Sequence, residues 1–427
     1  MSVRYSRWPL LLVVCMAFGA ALYKAPAMHP ARTFKFVQTA APRNDAARMQ
    51  SRFASSTLHT QTHAASLIEL KDGRIRAFWF AGSYEGAKDV EIRSAVFDPA
   101  HAQWGTEQTV ASRITTEESL LRYVGKLGNP VAARAADGRL WLFYVTVSMG
   151  GWAGSSITAI SSADEGVTWS AARRLVTSPF LNISTLLKGT PVAYDDGTLG
   201  LPVYHEFISK FGELLHLGKD GTVLDKQRLS AGSDHGLQPV LLVQSANDAL
   251  TLMRYAGPPP HQVLATSTHD AGAHWSAPVK LDIANPNAAL TALVLADGRM
   301  VAVLNDLEQG RDALTLMLSQ DGGRTWKKIY QLEDQLNARL QALNEAAYLK
   351  RVQDLAKDSD AAASAAHAQS AQQQSCDAQG CRFEFSYPYL IQAHNGDLHL
   401  VYTWNRSFIK HVWFNQAWLD ARIKALP

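Results

Sequence analysis

The chain is poor in cysteine, in net charge and in long apolar runs. Three cysteines in 427 residues are too few for a scaffold built on disulfides. Lys and Arg number 41 against 38 Asp and Glu, a formal net charge of +3. No broad basic field of the kind nucleic acid demands is present, and no nucleic-acid partner is expected. The one long apolar run, Trp8 to Tyr23, is short for a membrane-spanning helix. Arg4 and Arg7 precede it and Ala25-Pro26-Ala27 follows it, the order of a secretory signal with a small-residue cleavage site. Residues 1–27 are therefore expected to direct export, to the periplasm or the exterior. An uncleaved anchor is the alternative, and the only link to a membrane that the sequence suggests. Cys15 has no small residue before it, which argues against a lipoprotein signal. Loss of the segment would leave Cys376 and Cys381, which can close a small disulfide loop in an oxidising compartment. A metal site needs more Cys or His ligands than that stretch supplies, and no metal or organic cofactor is expected. Nothing in the sequence specifies an oligomeric state.

What the chain has is repetition. Ser162-Ala-Asp164-Glu-Gly166-Val-Thr168-Trp169 recurs as Thr268-His-Asp270-Ala-Gly272-Ala-His274-Trp275 and as Ser319-Gln-Asp321-Gly-Gly323-Arg-Thr325-Trp326. Asp and Ser/Thr side chains can bind nearby backbone N–H groups, Gly takes the positive φ of a bend, and Trp can fold back as an apolar plug. Each box has one Asp, whereas a calcium loop needs several acidic ligands and a closing Glu. The boxes thus read as hairpin turns of a repeat protein.

A second repeat runs in phase. Apolar strands meet at tight turns at Asp72-Gly73, Asp137-Gly138, Asp196-Gly197, Asn247-Asp248, Asp297-Gly298 and Asn395-Gly396, the first five roughly 50–65 residues apart. That spacing suits a four-stranded propeller blade. The expectation is an all-β, six-bladed propeller over residues 59–420. The boxes would form outer hairpins of blades two, four and five, with worn copies near Asp98–Trp104 in blade one and His216–Gly221 in blade three. The last step is too long, so 332–382 reads as an insertion before the last blade. It should begin with an amphipathic helix from Leu332 to about Ala356. Asp358–Gln374 is an Ala/Gln/Ser-rich stretch with little to bury, expected to be mobile or weakly helical. Residues 28–58 read as a linker, with a strand in it as a candidate to complete the last blade.

The boxes, with Gly128-Asn129-Pro130, Leu201-Pro202-Val203-Tyr204-His205-Glu206, Ser386-Tyr387-Pro388 and Tyr402-Thr403-Trp404-Asn405-Arg406, resemble the sialidase (neuraminidase) superfamily. The likeness is to its sialidase-like BNR-repeat group and covers about residues 60–331 and 383–415. It implies a propeller with an axial site, where arginines hold a substrate carboxylate, a Tyr paired with a Glu is the nucleophile and an Asp is the acid/base. A planar guanidinium matches a carboxylate, and a Tyr hydroxyl approaches an anionic anomeric centre with less repulsion than a carboxylate would. Tyr387 matches the nucleophile and Arg311 one arginine; Arg254 is a candidate second. His63 stands where the first arginine is expected. Gln238 stands near the place of the activating Glu, leaving no carboxylate there, and Glu206 on blade three is a candidate substitute. Glu85 and Asp89 are candidates for the acid. Asn129 and Tyr204, at strand ends, and Arg406, in a basic strand end with Lys410 and His411, are candidates for holding a glycan; Tyr84 and Trp152 are candidates for stacking on it. Three readings follow. The first is an exported glycoside hydrolase of the exo-sialidase type acting on a terminal acidic sugar. The second is a lyase in which His63 and Tyr387 perform β-elimination on a uronate glycan. The third is a glycan-binding propeller without catalysis.

Overall fold

The computed structural model describes residues 8–24, 32–36, 45–178, 182–230, 235–340 and 343–425. It divides into two units, Met1–Arg32 and Thr33–Pro427. In the first, Trp8–Lys24 forms a helix. No helix among the described residues is long and apolar enough to cross a membrane. The proposed cleavage site, Ala25–Ala27, lies outside the described residues.

The second unit is a six-bladed propeller. The inner three strands of blade 1 are Gln61–Glu69, Ile75–Gly82 and Glu91–Asp98, with Gln103–Trp104 and Gln108–Ser112 outside them. Blade 2 contains Lys126–Arg134, Leu140–Val147, Ser155–Ser162 and Arg173–Arg174. In blade 3 the inner strand is broken into Leu186–Leu187 and Val192–Ala193, both paired with Leu199–His205; Phe211–Leu217 and Val223–Arg228 follow. Blade 4 is built from Gly236–Val243, Ala249–Tyr255, Gln262–Thr268 and Val279–Ala284, and blade 5 from Thr291–Val294, Met300–Leu304, Ala313–Ser319 and Lys327–Asp334. Blade 6 takes Phe385–Gln392, Leu398–Trp404 and Phe408–Phe414 from late in the chain and Met49–Phe53 from near its start, which pairs antiparallel with Phe408–Phe414. The end of the expected linker therefore closes the ring. Earlier in that segment, Phe34 is fully buried and stacks on Tyr194 of blade 3 at 5.1 Å.

The sheets are buried on both faces, so inner and middle strands read as near-continuous apolar runs such as Phe78-Trp79-Phe80 and Leu140–Val145. The core follows the seams between blades. Val131, Phe143 and Leu201 join blades 2 and 3, Val240 and Met300 join blades 4 and 5, and Leu316, Leu400 and Trp404 join blades 5 and 6. The box tryptophans serve these seams: Trp169 meets Phe78 of blade 1 edge-on at 5.8 Å, and Trp326 packs into the cluster between blades 4 and 5. In the first box Ser162 Oγ accepts from Gly166 N at 2.7 Å, while Asp164 accepts from Thr168 N at 2.9 Å and Thr168 Oγ1 at 2.6 Å. These hydrogen bonds hold the Asp164 carboxyl down at about 2. Asp270 with His274, and Asp321 with Thr325, repeat the arrangement.

The insertion departs from expectation. Leu332 still belongs to the outer strand of blade 5, and helices follow at Leu336–Leu340, Glu345–Ala356 and Ser364–Ser375. Of the Ala/Gln/Ser-rich stretch, the part from Ser364 is helical, one of the two forms expected, and Ala368 and Ala371 are fully buried. Its small residues fit close against the cluster containing Tyr348, Val352 and Trp404. His367 lies between Phe53 and Phe408, at 4.6 and 4.5 Å between ring centres. Counting apolar residues missed this, because alanine gains more from a tight fit than from its own area. Cys376 and Cys381 form a disulfide that returns the chain to blade 6.

Gly323 tests the box geometry. It has φ +87°, and a Cβ there would come within 2.2 Å of the Leu250 side chain; Gly298, at φ +84°, has nothing within 4 Å. Gly298→Ala should cost about 1–2 kcal/mol from the left-handed backbone alone. Gly323→Ala should cost about 1 kcal/mol more, read as a larger drop in denaturant midpoint at unchanged slope.

Candidate active site

The inner strands of blades 1, 2, 4 and 6 each carry a bulge, and each bulge holds a residue in the left-handed region. These are Ala64 (φ 53°), Asn129 (φ 40°), Gln238 (φ 53°) and Tyr387 (φ 53°). Proline follows three of them, at Pro130, Pro239 and Pro388. Proline cannot join the ladder and is tolerated at a bulge, and a bulge re-aims its side chain. The same bulge therefore recurs near the start of the inner strand in four of the six blades, at one end of the propeller.

Tyr387 is half-buried at this end. Its ring centre is 4.3 Å from that of His63, and the Arg311 guanidinium and the Lys188 ammonium each lie 6.0 Å from it. His63 is 5% exposed, meets Phe80 edge-on at 5.6 Å, and has no partner for Nδ1 among the described residues. Burial drives its imidazole down to about 3, so it is neutral at physiological pH; Arg406, Arg311 and Lys188 push the same way against Glu384.

Glu384, just before the inner strand of blade 6, organises the cations. It accepts from Arg406 Nε at 2.6 Å, Ser386 Oγ at 2.8 Å and Arg311 Nη1 at 3.3 Å. Burial raises its carboxyl, but Arg406 foremost, with His63 and Arg311, brings it down to about 2. Glu85 reaches the same group, 4.0 Å from Arg406. Its carboxyl is raised by burial, opposed mainly by Arg406. A second cluster comes from blades 3 and 4. Gln238 Nε2 donates to Tyr204 Oη at 3.3 Å, and Arg254 lies 3.7 Å from Glu206. Burial raises the Tyr204 phenol strongly, and Tyr387 and Glu206 add to it, so the two clusters sense each other.

Tyr387, His63, Arg311, Arg406 and Glu85 thus converge, with Tyr204, Glu206, Gln238 and Arg254 beside them. Two candidates serve as scaffold. Asp89 is exposed and holds Ser83 through both its N–H (3.0 Å) and hydroxyl (2.9 Å). Asn129 donates to Leu187 O at 3.1 Å, tying blade 2 to blade 3. Nor do Lys410 and His411 form a basic surface. Lys410 is buried and bonds Glu333 at 2.7 Å, beside Tyr402 Oη at 2.6 Å from the same oxygen; His411 is fully buried against His399 at 3.0 Å. Of that strand end only Arg406 faces the site. Trp152 packs over Gly128, where a Cβ would meet it at 2.8 Å, and Tyr84 is 61% exposed.

Two groups of the site escape sequence reasoning. Glu384 had one signal, a lone carboxylate between Phe383 and Phe385 ahead of Tyr387. Lys188 had another, a lone cation in Leu186-Leu187-Lys188-Gly189-Thr190-Pro191. No group of three or more His, Cys, Asp or Glu among the described residues could hold a metal ion.

A family model described as the BNR repeat-like domain matches residues 73–400. Among solved structures the chain is similar to a Hadza microbial sialidase, with 15% identity and a TM-score of 0.60, over 84% of this chain and 66% of that one. It is similar to the NanB sialidase from Streptococcus pneumoniae, with 10% identity and a TM-score of 0.59, over 93% and 72% of the two chains. It is also similar to a Dyadobacter fermentans protein of unknown function, with 11% identity and a TM-score of 0.62, over 86% and 99%. No curated protein matches the sequence. At these identities the structural likeness speaks for the fold.

Glu384 is the test of the site's assembly. Glu384→Gln leaves Arg311 and Arg406 without their shared carboxylate and should cost about 2 kcal/mol in chemical denaturation. Arg406→Gln in the same background should cost less than it does alone, because the two positions are coupled.

Proposed function

The chain belongs to the BNR repeat-like family, a sialidase-like six-bladed propeller, and from that footing we propose that it is an exported glycosidase acting on a terminal acidic sugar. The observation that carries the reading is the position of Tyr387, aimed by its bulge toward the axis between His63, Arg311 and Lys188. In this reading the Tyr387 hydroxyl gives its proton to Glu206, the candidate activating carboxylate, and its oxygen attacks the anomeric carbon while Glu85 protonates the departing glycosidic oxygen; Glu206 returns its proton to the Tyr387 oxygen when the covalent bond is hydrolysed. Glu85 then takes a proton from the water that releases the sugar. Burial keeps the Glu85 carboxyl protonated to higher pH than an ordinary carboxylate, as a general acid requires. Arg311 and Arg406, held parallel to the task by Glu384, receive the sugar's carboxylate. Neutral His63 offers a hydrogen bond where an arginine would add charge. The Cys376–Cys381 disulfide supports the export reading.

One observation favours a second reading. The His63 imidazole, whose Nδ1 has no partner among the described residues, lies against the Tyr387 ring, an acceptor beside a phenol as β-elimination at a uronate needs. The purified protein, incubated with sialosides and with uronate polysaccharides, separates the two: free sugar marks hydrolysis and unsaturated-product absorbance marks elimination. Tyr387→Phe should remove about 10³-fold or more of either activity. His63→Ala should abolish elimination and slow hydrolysis much less. Activity that survives both substitutions sinks both catalytic readings, whereas tight glycan binding with no turnover marks a glycan-binding propeller.

The pH profile has a definite sign. Glu85 must be protonated to act as acid, so kcat should fall as pH rises through its elevated value. Glu85→Gln should remove that alkaline limb and slow the reaction about 10²-fold or more, least for substrates whose leaving group needs no proton.

A further inference from the structure

We propose that Lys188 is the uncompensated counter-charge of the site, and that binding of an anionic sugar over Tyr387 draws a proton onto its amine. This deepens, and rests on, the reading that the site takes an acidic sugar.

Blade 3 departs from the pattern of the other blades at the place where they carry one-residue bulges. Its inner strand breaks between Leu187 and Val192, and the residues between form a longer excursion. Gly189 permits it: a Cβ there would lie 2.0 Å from Pro239 O of blade 4. The excursion sends the Lys188 side chain across the axis. Its Nζ donates to Pro388 O, 200 residues away on the opposite blade, at 3.1 Å. The same Nζ lies 4.8 Å from the Tyr389 ring centre and 6.0 Å from that of Tyr387.

Lys188 is 3% exposed. No carboxylate lies within ion-pair distance of it among the described residues. A buried ammonium with a single carbonyl and two aromatic faces is poorly compensated for lost water. The arginines of the site differ from it: Arg254 meets Glu206, and Arg311 and Arg406 share Glu384. Each is already engaged by a carboxylate, so each presents geometry for a further one with part of its charge spent. Lys188 is the group that can supply unspent charge, and only when an anion arrives. Burial brings its amine down to about 7, within reach of a neighbouring negative charge. The charged and titratable groups around it are Tyr387 and Tyr389 from blade 6 and His63 from blade 1, and Arg311 of blade 5 reaches the same Tyr387 ring at 6.0 Å. His63 titrates far below, and the tyrosines are buried phenols or face the cleft.

Coupling of this kind is reciprocal. If the bound anion favours the ammonium, the ammonium favours the anion by the same factor. Affinity is then full below about 7 and declines as pH rises past it.

The test measures binding rather than turnover. Calorimetric titration of the full chain with free N-acetylneuraminate and with glucuronate, in buffers of differing ionisation heat, reads affinity and proton uptake together. The acid that binds should do so about tenfold more tightly at pH 6 than at pH 8, with uptake of about half a proton at pH 7 that rises toward one at pH 8. Lys188→Met and Lys188→Gln, verified as folded by near-UV circular dichroism, should bind more weakly at pH 6 and lose both pH slope and proton uptake. His63→Gln should keep them. A wild-type affinity independent of pH, or a slope retained in both Lys188 variants, overturns the inference and leaves the acidic-sugar reading standing. Failure of both acids to bind the wild type at either pH overturns the reading itself and the inference with it.

Discussion

The structure depends on one pairing, Met49–Phe53 against Phe408–Phe414. A six-bladed ring built from a linear chain has two ends that must meet, and an unpaired outer strand would expose a free edge. Here blade 6 lacks a fourth strand until the chain's early residues supply it. Ile409 N then donates to Ser55 Oγ at 2.9 Å, fixing the passage into blade 1. Every other seam joins blades consecutive in sequence. This one joins residues more than 350 positions apart, and it brings His63 beside Tyr387.

Much of the site's chemistry follows from that closure. Tyr387, Glu384 and Arg406 come from blade 6, His63 and Glu85 from blade 1, and Arg311 from blade 5. Their cations are held in place before any ligand enters, with Glu384 shared between two guanidiniums. Such sharing costs desolvation but locks planar groups in place. The result is a set of donors held around Tyr387, with the buried amine of Lys188 close to the same ring.

The fold was legible because its signals are local and repeat. Asp72-Gly73, Asp137-Gly138 and Asp297-Gly298 each specify their own turn, with Asp accepting from the residue after Gly. Each box likewise closes on itself. The site was half legible. The X-Pro step at Asn129, Gln238 and Tyr387 marks where a blade reaches the axis, but not what its residue meets there. Asn129 is spent on a strand tie and Asp89 on a loop. Glu384 and Lys188 owe their importance to partners on other blades, which no local pattern announces. Lys410 looked like surface charge because its partner, Glu333, lies 77 residues earlier on another blade.

The helices laid over the closing seam bear on how long the folded molecule lasts. Ser359 Oγ meets Ser51 Oγ at 2.8 Å, Ser370 Oγ receives His59 N at 2.9 Å, and His367 fills the gap between Phe53 and Phe408. A ring held by hydrogen bonds opens where its two ends meet. Here the helices must lift before the first strand can peel away. Contacts that break early in opening and form late in closing slow the first far more than they speed the second. The insertion, tied at its return by the Cys376–Cys381 bond, therefore acts as a latch on the lifetime of the closed ring.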